Sequence, residues 1–324
     1  MGASILLTGA TGNTGRVVAE RLRERGIRFA ALARSEARQR QLETDGVEVI
    51  RGDFDDANEL SDALHGVERA YLVCTPDEHL IPREVGFIRA AKRAGVRRIV
   101  KCSAYLADLL GVSQNLRAHG AIEAELIHSG LEYTIVRPHG FMQSYTLFGW
   151  SMIEKLGVVS LPTGDGGIPM VDTRDVAEVV TRALVDDDHV GKIYDLTGPE
   201  VLTGKQQAAI LARVLGRSVR YVPGQDWQLQ LVMRMLGVPP TPREHVLKIF
   251  RVQREHGFER TTSTLRELGI TPTTYEQFVR DLVEGRTGGG NSFEAPRGPF
   301  GKLLDAASTV ANKLALRGGP SREG

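Results

Sequence analysis

Cysteine is scarce: Cys74 and Cys102 are the only two among 324 residues. Neither stands in a Cys-x-x-Cys or Cys/His spacing, so a disulfide framework and a structural zinc site are both excluded and a reducing compartment is expected. An excess of one charge is also lacking. Lys+Arg number 41 and Asp+Glu 40, for a net charge of +1. Such a chain has no general field to draw it to phosphates, and no direct nucleic-acid partner is expected. No apolar run reaches the ~20 residues that a membrane span requires. The N-terminus lacks a basic segment followed by an apolar one, so no signal peptide is expected and the expected location is cytoplasmic.

What is present is ordinary for a globular protein: 41% hydrophobic and 25% charged residues. The length suits about two domains, or one large α/β unit with an appendage. Residues 3–8 (ASILLT) form a short apolar run without period, as a strand buried on both faces does. Further strands are expected at 27–33, 47–50, 69–74, 97–103 and 132–137, with helices at 16–25, 35–45, 56–65, 79–94 and 115–129. This alternation predicts an α/β fold with a doubly wound parallel sheet over residues 1–150. After Pro138 the regularity fades. Residues 157–175 are rich in Gly, Pro and Asp, and helices are expected at 203–215, 226–255 and 275–284. A smaller α/β C-terminal lobe over 151–285 is expected, with some chain returning to the main sheet. Residues 241–256 are moderately basic and read as a solvated helix face. Residues 286–299 read as a linker. Phe300, Leu303, Leu304, Ala307, Val310, Ala311 and Leu314 recur at helical spacing, which gives a candidate amphipathic helix or tail over 300–317. It would dock on its own body or on a partner subunit, stay disordered, or, least in keeping with its alanine-rich face, lie on a membrane.

The first strand runs into Gly9-Ala10-Thr11-Gly12-Asn13-Thr14-Gly15 and then a helix. A GxxGxxG loop between a buried strand and a helix is a dinucleotide-phosphate cradle. Gly9 permits the tight turn, Gly12 lets a pyrophosphate approach the backbone, and Gly15 allows the helix to pack on the strand. The N–H groups of the helix start then meet the anion, which makes Thr11, Asn13 and Thr14 candidates alongside the glycines. An NAD-binding site places Asp or Glu at the end of the second strand. Here that place holds Arg34, followed by Ser35, with Arg38 one turn on. A guanidinium suits a 2′-phosphate, so NADP(H) is expected in preference to NAD(H). Asp53 and Phe54, after the third strand, are candidates for the adenine. Asp55 and Asp56 read as helix caps. Thr75 is expected beneath the ribose. Cys74 has no basic neighbour to form a thiolate and reads as inert.

The segments ILLTGATGNTGRVV, Ala-Arg34-Ser, RGDFDD, VRRIVKCSA, HGAIEAELIHSGLEYTIVRPHGFMQ, VDTRDVAEV and YDLTGPEVLTG resemble the NmrA-like family of atypical short-chain dehydrogenases/reductases. The resemblance implies a Rossmann domain binding NADP(H) and a small C-terminal domain enclosing a cleft. It also implies one of two functions. The first is an NADPH-dependent oxidoreductase acting on a quinone or similar conjugated acceptor. The second is a non-catalytic NADP(H)-sensing regulator with a protein partner; a homodimer is a further alternative for assembly.

None of the seven tyrosines is followed by lysine at the fourth position, so the Tyr-x-x-x-Lys acid/base pair is absent. Tyr133 with Arg137 comes nearest, on a predicted strand. Several NmrA-like reductases carry a lysine four residues ahead of a Glu; that Glu is Glu123 here and the matching position is His119. His119 is thus the leading proton-donor candidate, the other reading being a helix-face histidine that orients ribose or solvent. Glu123 itself reads as a helix-surface charge. Tyr105 is a second catalytic candidate, and His139 a weaker acid. Pro138 and Phe141 are expected beside the nicotinamide. Tyr105, Phe141, Met142, Tyr145, Phe148 and Trp150 are the candidate lining of an apolar cleft. No metal site is expected.

Overall fold

The computed structural model describes residues 4–286, apart from 148, 236 and 259. The amphipathic segment expected over 300–317 lies outside the described residues. In chain order the strands are β1 (Ile5–Leu7), β2 (Ala30–Ala33), β3 (Glu48–Arg51), β4 (Arg69–Leu72), β5 (Arg98–Cys102), β6 (Glu132–Pro138), β7 (Val158–Val159), β8 (Lys192–Leu196) and β9 (Arg220–Tyr221). The first five helices are α1 (Gly15–Glu24), α2 (Glu36–Thr44), α3 (Ala57–Ala63), α4 (Leu80–Ala94) and α5 (Gln114–His128). Then come α6 (Met142–Leu147), α7 (Trp150–Leu156), α8 (Thr173–Val185) and α9 (Gly204–Leu215). The last are α10 (Asp226–Met235), α11 (Pro240–His256), α12 (Thr264–Glu267) and α13 (Tyr275–Val283).

Seven strands form one sheet in the order β3-β2-β1-β4-β5-β6-β8, and each neighbouring pair is parallel. This is the expected doubly wound Rossmann-type arrangement. The order reverses between β1 and β4, and the crevice beyond the strand ends at that point is where such sheets bind ligands. Strands covered on both faces must be apolar on both, which is why β1 and β2 are buried at every residue. On one face, Leu6, Ala30 and Ile99 pack with Phe87 of α4 and Ile122 of α5. On the other, Leu7, Tyr71 and Val100 pack with Val17 of α1 and Val180 of α8. Left-handed glycines stop the helices cleanly, as at Gly95 after α4, where φ is 79°.

The expected elements through β6 all form, with ends shifted by a few residues. The second half differs more. The segment 173–185, for which no helix is expected from the fading pattern, is α8. It buries Val176, Val179, Val180, Ala183 and Leu184 completely against the main sheet, at roughly 1.5–3 kcal/mol for each of the larger side chains. β8 then returns to the main sheet as a seventh strand beside β6, over a segment where the pattern alone does not predict a strand. Its pattern is weak because it is an edge strand, with Lys192 and Ile193 exposed. The single helix expected over 226–255 is two, because Pro239 precedes Pro240 at the start of α11 and a proline cannot continue a helix. β7 and β9 pair in a separate two-stranded sheet. Among the described residues no helix is long and apolar enough to cross a membrane.

Candidate active site

The glycine loop is shaped by its own backbone. Gly9 sits at φ +60°, a left-handed conformation, and a Cβ there would meet Val73 at 2.7 Å. A Cβ on Gly15 would lie 2.2 Å from the Gly9 carbonyl oxygen, so only glycine lets α1 start this close to the loop. α1 has no side-chain cap, because Thr14 Oγ1 is paired with the buried Tyr71 hydroxyl at 2.8 Å. An uncapped helix start beneath a glycine turn is a cradle for a phosphate-bearing anion. The cleft in front of it holds about 380 Å³. Of the expected cofactor residues, Gly9, Thr11, Arg34, Asp53, Phe54 and Thr75 line it. Gly12 and Asn13 are exposed, Thr14 and Gly15 are buried beneath the loop, and none of the four is part of its lining.

Two cations stand at one end of this cleft. Arg34 Nε lies 3.9 Å from Asp53 Oδ2, and Arg38 donates to Thr11 Oγ1 at 2.5 Å. Ser35 caps α2 by accepting from the Arg38 amide. Asp56 caps α3, as expected. Asp55 does not cap: it binds the Arg83 guanidinium, which also donates to Asp77 Oδ2 at 2.8 Å. These bonds hold the Asp55 carboxyl below its usual range and raise Arg83. Arg83, with its partner Asp77, lines the cleft and was not a candidate from the sequence. Phe54 packs on Phe87 with ring centroids 5.6 Å apart. The Cys74 thiol is pushed up to about 11, chiefly by burial, in keeping with an inert residue.

Thr75 lines this cleft and the next residue, Pro76, lines a second cavity, so the two adjoin at the end of β4. The second cavity holds about 490 Å³. His119, Tyr105, Pro138, Phe141 and His139 all line it. The loop carrying Pro138–Phe141 is fixed by a parallel bridge between Phe141 and Val171 and by the His139 amide donating to Leu196 O at 2.8 Å. α10 and α11 close the other side with Leu229, Met233, His245, Val246, Ile249 and Phe250. α11 is therefore a cavity wall, which corrects its reading as a solvated helix face. His245 ties it to α5 through a 2.9 Å contact between Nδ1 and Ser113 Oγ. Tyr145 also lines the cavity, whereas Met142 and Trp150 pack in the core beside α9 and α13 and Phe148 lies outside the described residues.

Charge is missing from this cavity. Among the described residues that line it, none is Asp, Glu, Lys or Arg. Its histidines are held neutral. Burial pushes His139 down to about 3 and His245 to about 4, and burial with the neighbouring Lys101 charge takes His119 well below the usual range. His139 accepts the Gly140 amide at Nδ1 over 2.7 Å and packs between the tilted ring of Tyr105 (centroids 4.9 Å) and the edge-on ring of Phe258 (4.7 Å). A histidine clamped this way is a poor acid, and Tyr105 is partly engaged in the same contact.

Glu123 is not a surface charge. It is 2% exposed and takes the Arg137 guanidinium on both oxygens, while Ser103 donates to it from the end of β5. Arg137 is thus the partner of a buried carboxylate rather than of Tyr133. The sequence held a signal for this, since Glu123 and Arg137 flank the same strand–helix unit, but helical spacing alone does not distinguish a buried face charge from a solvated one.

The NmrA-like family model matches residues 1–279. Among curated proteins, an NAD(P)H azoreductase of Xenophilus azovorans is 35% identical over 239 residues, 72% of this chain and 82% of its own. A (4-alkanoyl-5-oxo-2,5-dihydrofuran-3-yl)methyl phosphate reductase of Streptomyces griseus is 38% identical over 83% of this chain and 93% of its own. Among solved structures, an NADPH-dependent quinone oxidoreductase of Escherichia coli complexed with NADPH superposes with a TM-score of 0.76 at 29% identity, covering 86% of this chain and 99% of that one. The glycine turn, the parallel sheet order and these matches agree, and the chain belongs to the NmrA-like family.

Proposed function

We propose that this chain is an NADPH-dependent oxidoreductase that transfers hydride to a quinone or a similar uncharged conjugated acceptor. One observation carries the reading: a phosphate cradle with Arg34 and Arg38 at one end of its cleft adjoins an apolar cavity that is lined by neutral histidines and by no Asp, Glu, Lys or Arg. The azoreductase and the quinone oxidoreductase to which it is similar support the reaction class.

NADP(H) fits the first cleft. The loop Gly9–Gly15 would take the pyrophosphate at the start of α1, through backbone at Gly12, Asn13, Thr14 and Gly15. Arg34 and Arg38 would take the 2′-phosphate, which is why NADP(H) is favoured over NAD(H). Asp53 and Phe54 would meet the adenine, Thr75 the ribose, and Pro138 with Phe141 the nicotinamide. When bound, the cofactor supplies the hydride. The chain's own work is to hold the acceptor flat in the apolar cavity, exclude water and meet the oxygen on which charge gathers. His119 and Tyr105, which line that cavity, would take that last task. Asn115, one turn before His119 on α5, lines the same cavity and has a buried Oδ1 without a partner. A conjugated acceptor delocalises its charge, so no Tyr-x-x-x-Lys pair is required. Residues 1–150 together with α8 and β8 form the cofactor side in this reading, and the rest up to 285 covers the acceptor. The two unpaired thiols suit a reducing, cytoplasmic setting.

The missing acid/base pair also favours a second reading, an NADP(H) sensor that never turns over and signals to a protein partner. Steady-state NADPH oxidation with a panel of neutral quinones and azo dyes separates the two. Acceptor-dependent consumption supports the reductase; tight NADPH binding with no consumption supports the sensor; failure to bind either dinucleotide rejects both.

A further inference from the structure

β5 carries a charge that the reading above leaves unused. Side chains alternate along a strand, so Ile99 and Lys101 share the face covered by α4 and α5. Lys101 is fully buried there. Its ammonium has three protons and no lone pair. Nζ lies 2.8 Å from Glu84 Oε2 on α4, donates to the Cys102 carbonyl, and lies 3.4 Å from His119 Nδ1 on α5. The first is an ion pair in which neither Glu84 oxygen gains a hydrogen bond, and the other two are hydrogen bonds. The third has only one polarity: Nδ1 must be the nitrogen with the lone pair. A neutral imidazole then carries its proton on Nε2, and with Nδ1 turned to Lys101 the Nε2 edge is the one left for the cavity that His119 lines.

The charges around the ring support a neutral imidazole. Burial disfavours a second proton on it, and the Lys101 ammonium facing it from β5 adds to this, while His245, which faces it from α11, is itself kept neutral by burial. Glu84 stands behind Lys101, and Glu123, one turn on along α5, is committed to Arg137 and Ser103. Glu84 is itself fully buried; burial raises its pKa while Lys101 opposes the rise. A lone buried ammonium on a central strand would be untenable without such a counter-charge.

We propose that Lys101, held by Glu84, is a positioning residue that fixes His119 as its Nε2–H tautomer and so aims a hydrogen-bond donor at the acceptor oxygen. No proton has to leave the imidazole: Nε2–H stabilises the developing negative charge as a fixed dipole, and the reduced oxygen takes its proton from solvent. This role rests on the reductase reading, whereas the tautomer does not.

The test is a two-bond ¹H–¹⁵N correlation of the histidine rings in the full, uniformly labelled chain without ligand, with His119 assigned by its loss in His119→Gln. The wild type is expected to show a neutral Nε2–H ring unchanged between about pH 5.5 and 8. Lys101→Met is expected to admit the Nδ1–H form and to lower kcat at least about tenfold with an unchanged KM for NADPH. Lys101→Gln, which keeps a donor, is expected to restore part of both. An imidazolium or an Nδ1–H ring in the wild type overturns the proposal even if no variant folds, and so does an unaltered tautomer in Lys101→Met. The expected tautomer in a chain that oxidises NADPH with no acceptor supports the Lys101–His119 geometry and overturns the reductase reading instead.

Discussion

Arg34 leans toward Asp53, its Nε 3.9 Å from the carboxylate, although its side chain remains 65% exposed. A cation held so loosely at the end of β2 is free to turn to a stronger anion. A phosphate offers two or three charge-assisted bonds where Asp53 offers one distant contact. Replacing it by acid should therefore separate the two dinucleotides. Arg34→Glu is expected to raise KM for NADPH by about tenfold to a hundredfold, the equivalent of roughly 1.5–3 kcal/mol for a lost bond to a charged group, with NADH affected far less. Titration of both reduced dinucleotides on one preparation checks this; an equal loss for both would remove Arg34 from the 2′-phosphate site.

Gly15 tests the cradle without touching a charge. A methyl group there collides with the Gly9 carbonyl at 2.2 Å, and the obstacle is backbone, which cannot rotate away. Gly15→Ala should cost about 1–3 kcal/mol of stability and displace the start of α1. The expected result is a lowered Tm together with lost NADPH binding. Gly26→Ala serves as the contrast: its site is open, but φ is +66°, so stability should fall while binding persists.

Much of this arrangement was legible in the chain. The buried parallel strands announce themselves as apolar runs, and Gly26, Gly95 and Gly130 mark the helix ends because each adopts positive φ. The glycine loop and Arg34 could be placed because their meaning is local. What escaped depends on distant partners. Glu123 looks solvated until Arg137 and Ser103 arrive from two neighbouring strands. Lys101 sits in RIVKC like an interruption of a strand, and nothing in the local pattern names Glu84 as its counter-charge. β8 is polar because it forms an edge, and α11 became a cavity wall only through its approach to α5.

The buried histidines link stability to pH. His139 falls from 6.5 to about 3 on folding, so between these values the unfolded chain binds more protons than the folded one. Its contribution is intact above pH 6.5 and is lost as pH falls, by about 2 kcal/mol at pH 5. Asp175 runs the other way: raised to about 6 by burial, it lowers stability as pH rises from about 4 to 6. His139→Asn, which keeps an acceptor for the Gly140 amide, should flatten the decline in Tm between pH 7 and 5. An undiminished decline would place the acid lability elsewhere, with His245 the next group to replace.

α11 closes the acceptor cavity without reaching the glycine-loop cleft. Val246 lines the first and is absent from the lining of the second. Val246→Trp should fill the space a flat acceptor needs while leaving the dinucleotide site intact. A tenfold or larger rise in KM for the quinone, with unchanged NADPH affinity, is the expected outcome of kinetics paired with calorimetry. Weakened NADPH binding would instead mean that α11 also bears on the cofactor.

The neutral lining sets what the cavity admits. An anionic acceptor would leave water for a cavity of about 490 Å³ in which no described side chain is cationic, since its three histidines are kept uncharged. Burying an unpaired anion costs several kcal/mol even after relaxation. A neutral naphthoquinone should thus exceed its sulfonated or carboxylated counterpart by at least about a hundredfold in kcat/KM, which corresponds to roughly 3 kcal/mol. Leu106→Lys, at the exposed rim of the same cavity, supplies a cation without entering the interior and should narrow that ratio by raising the charged substrate alone. Equal turnover of both acceptors by the wild type would show that the charged group stays in solvent, and would move the acceptor from the interior of the cavity to its mouth.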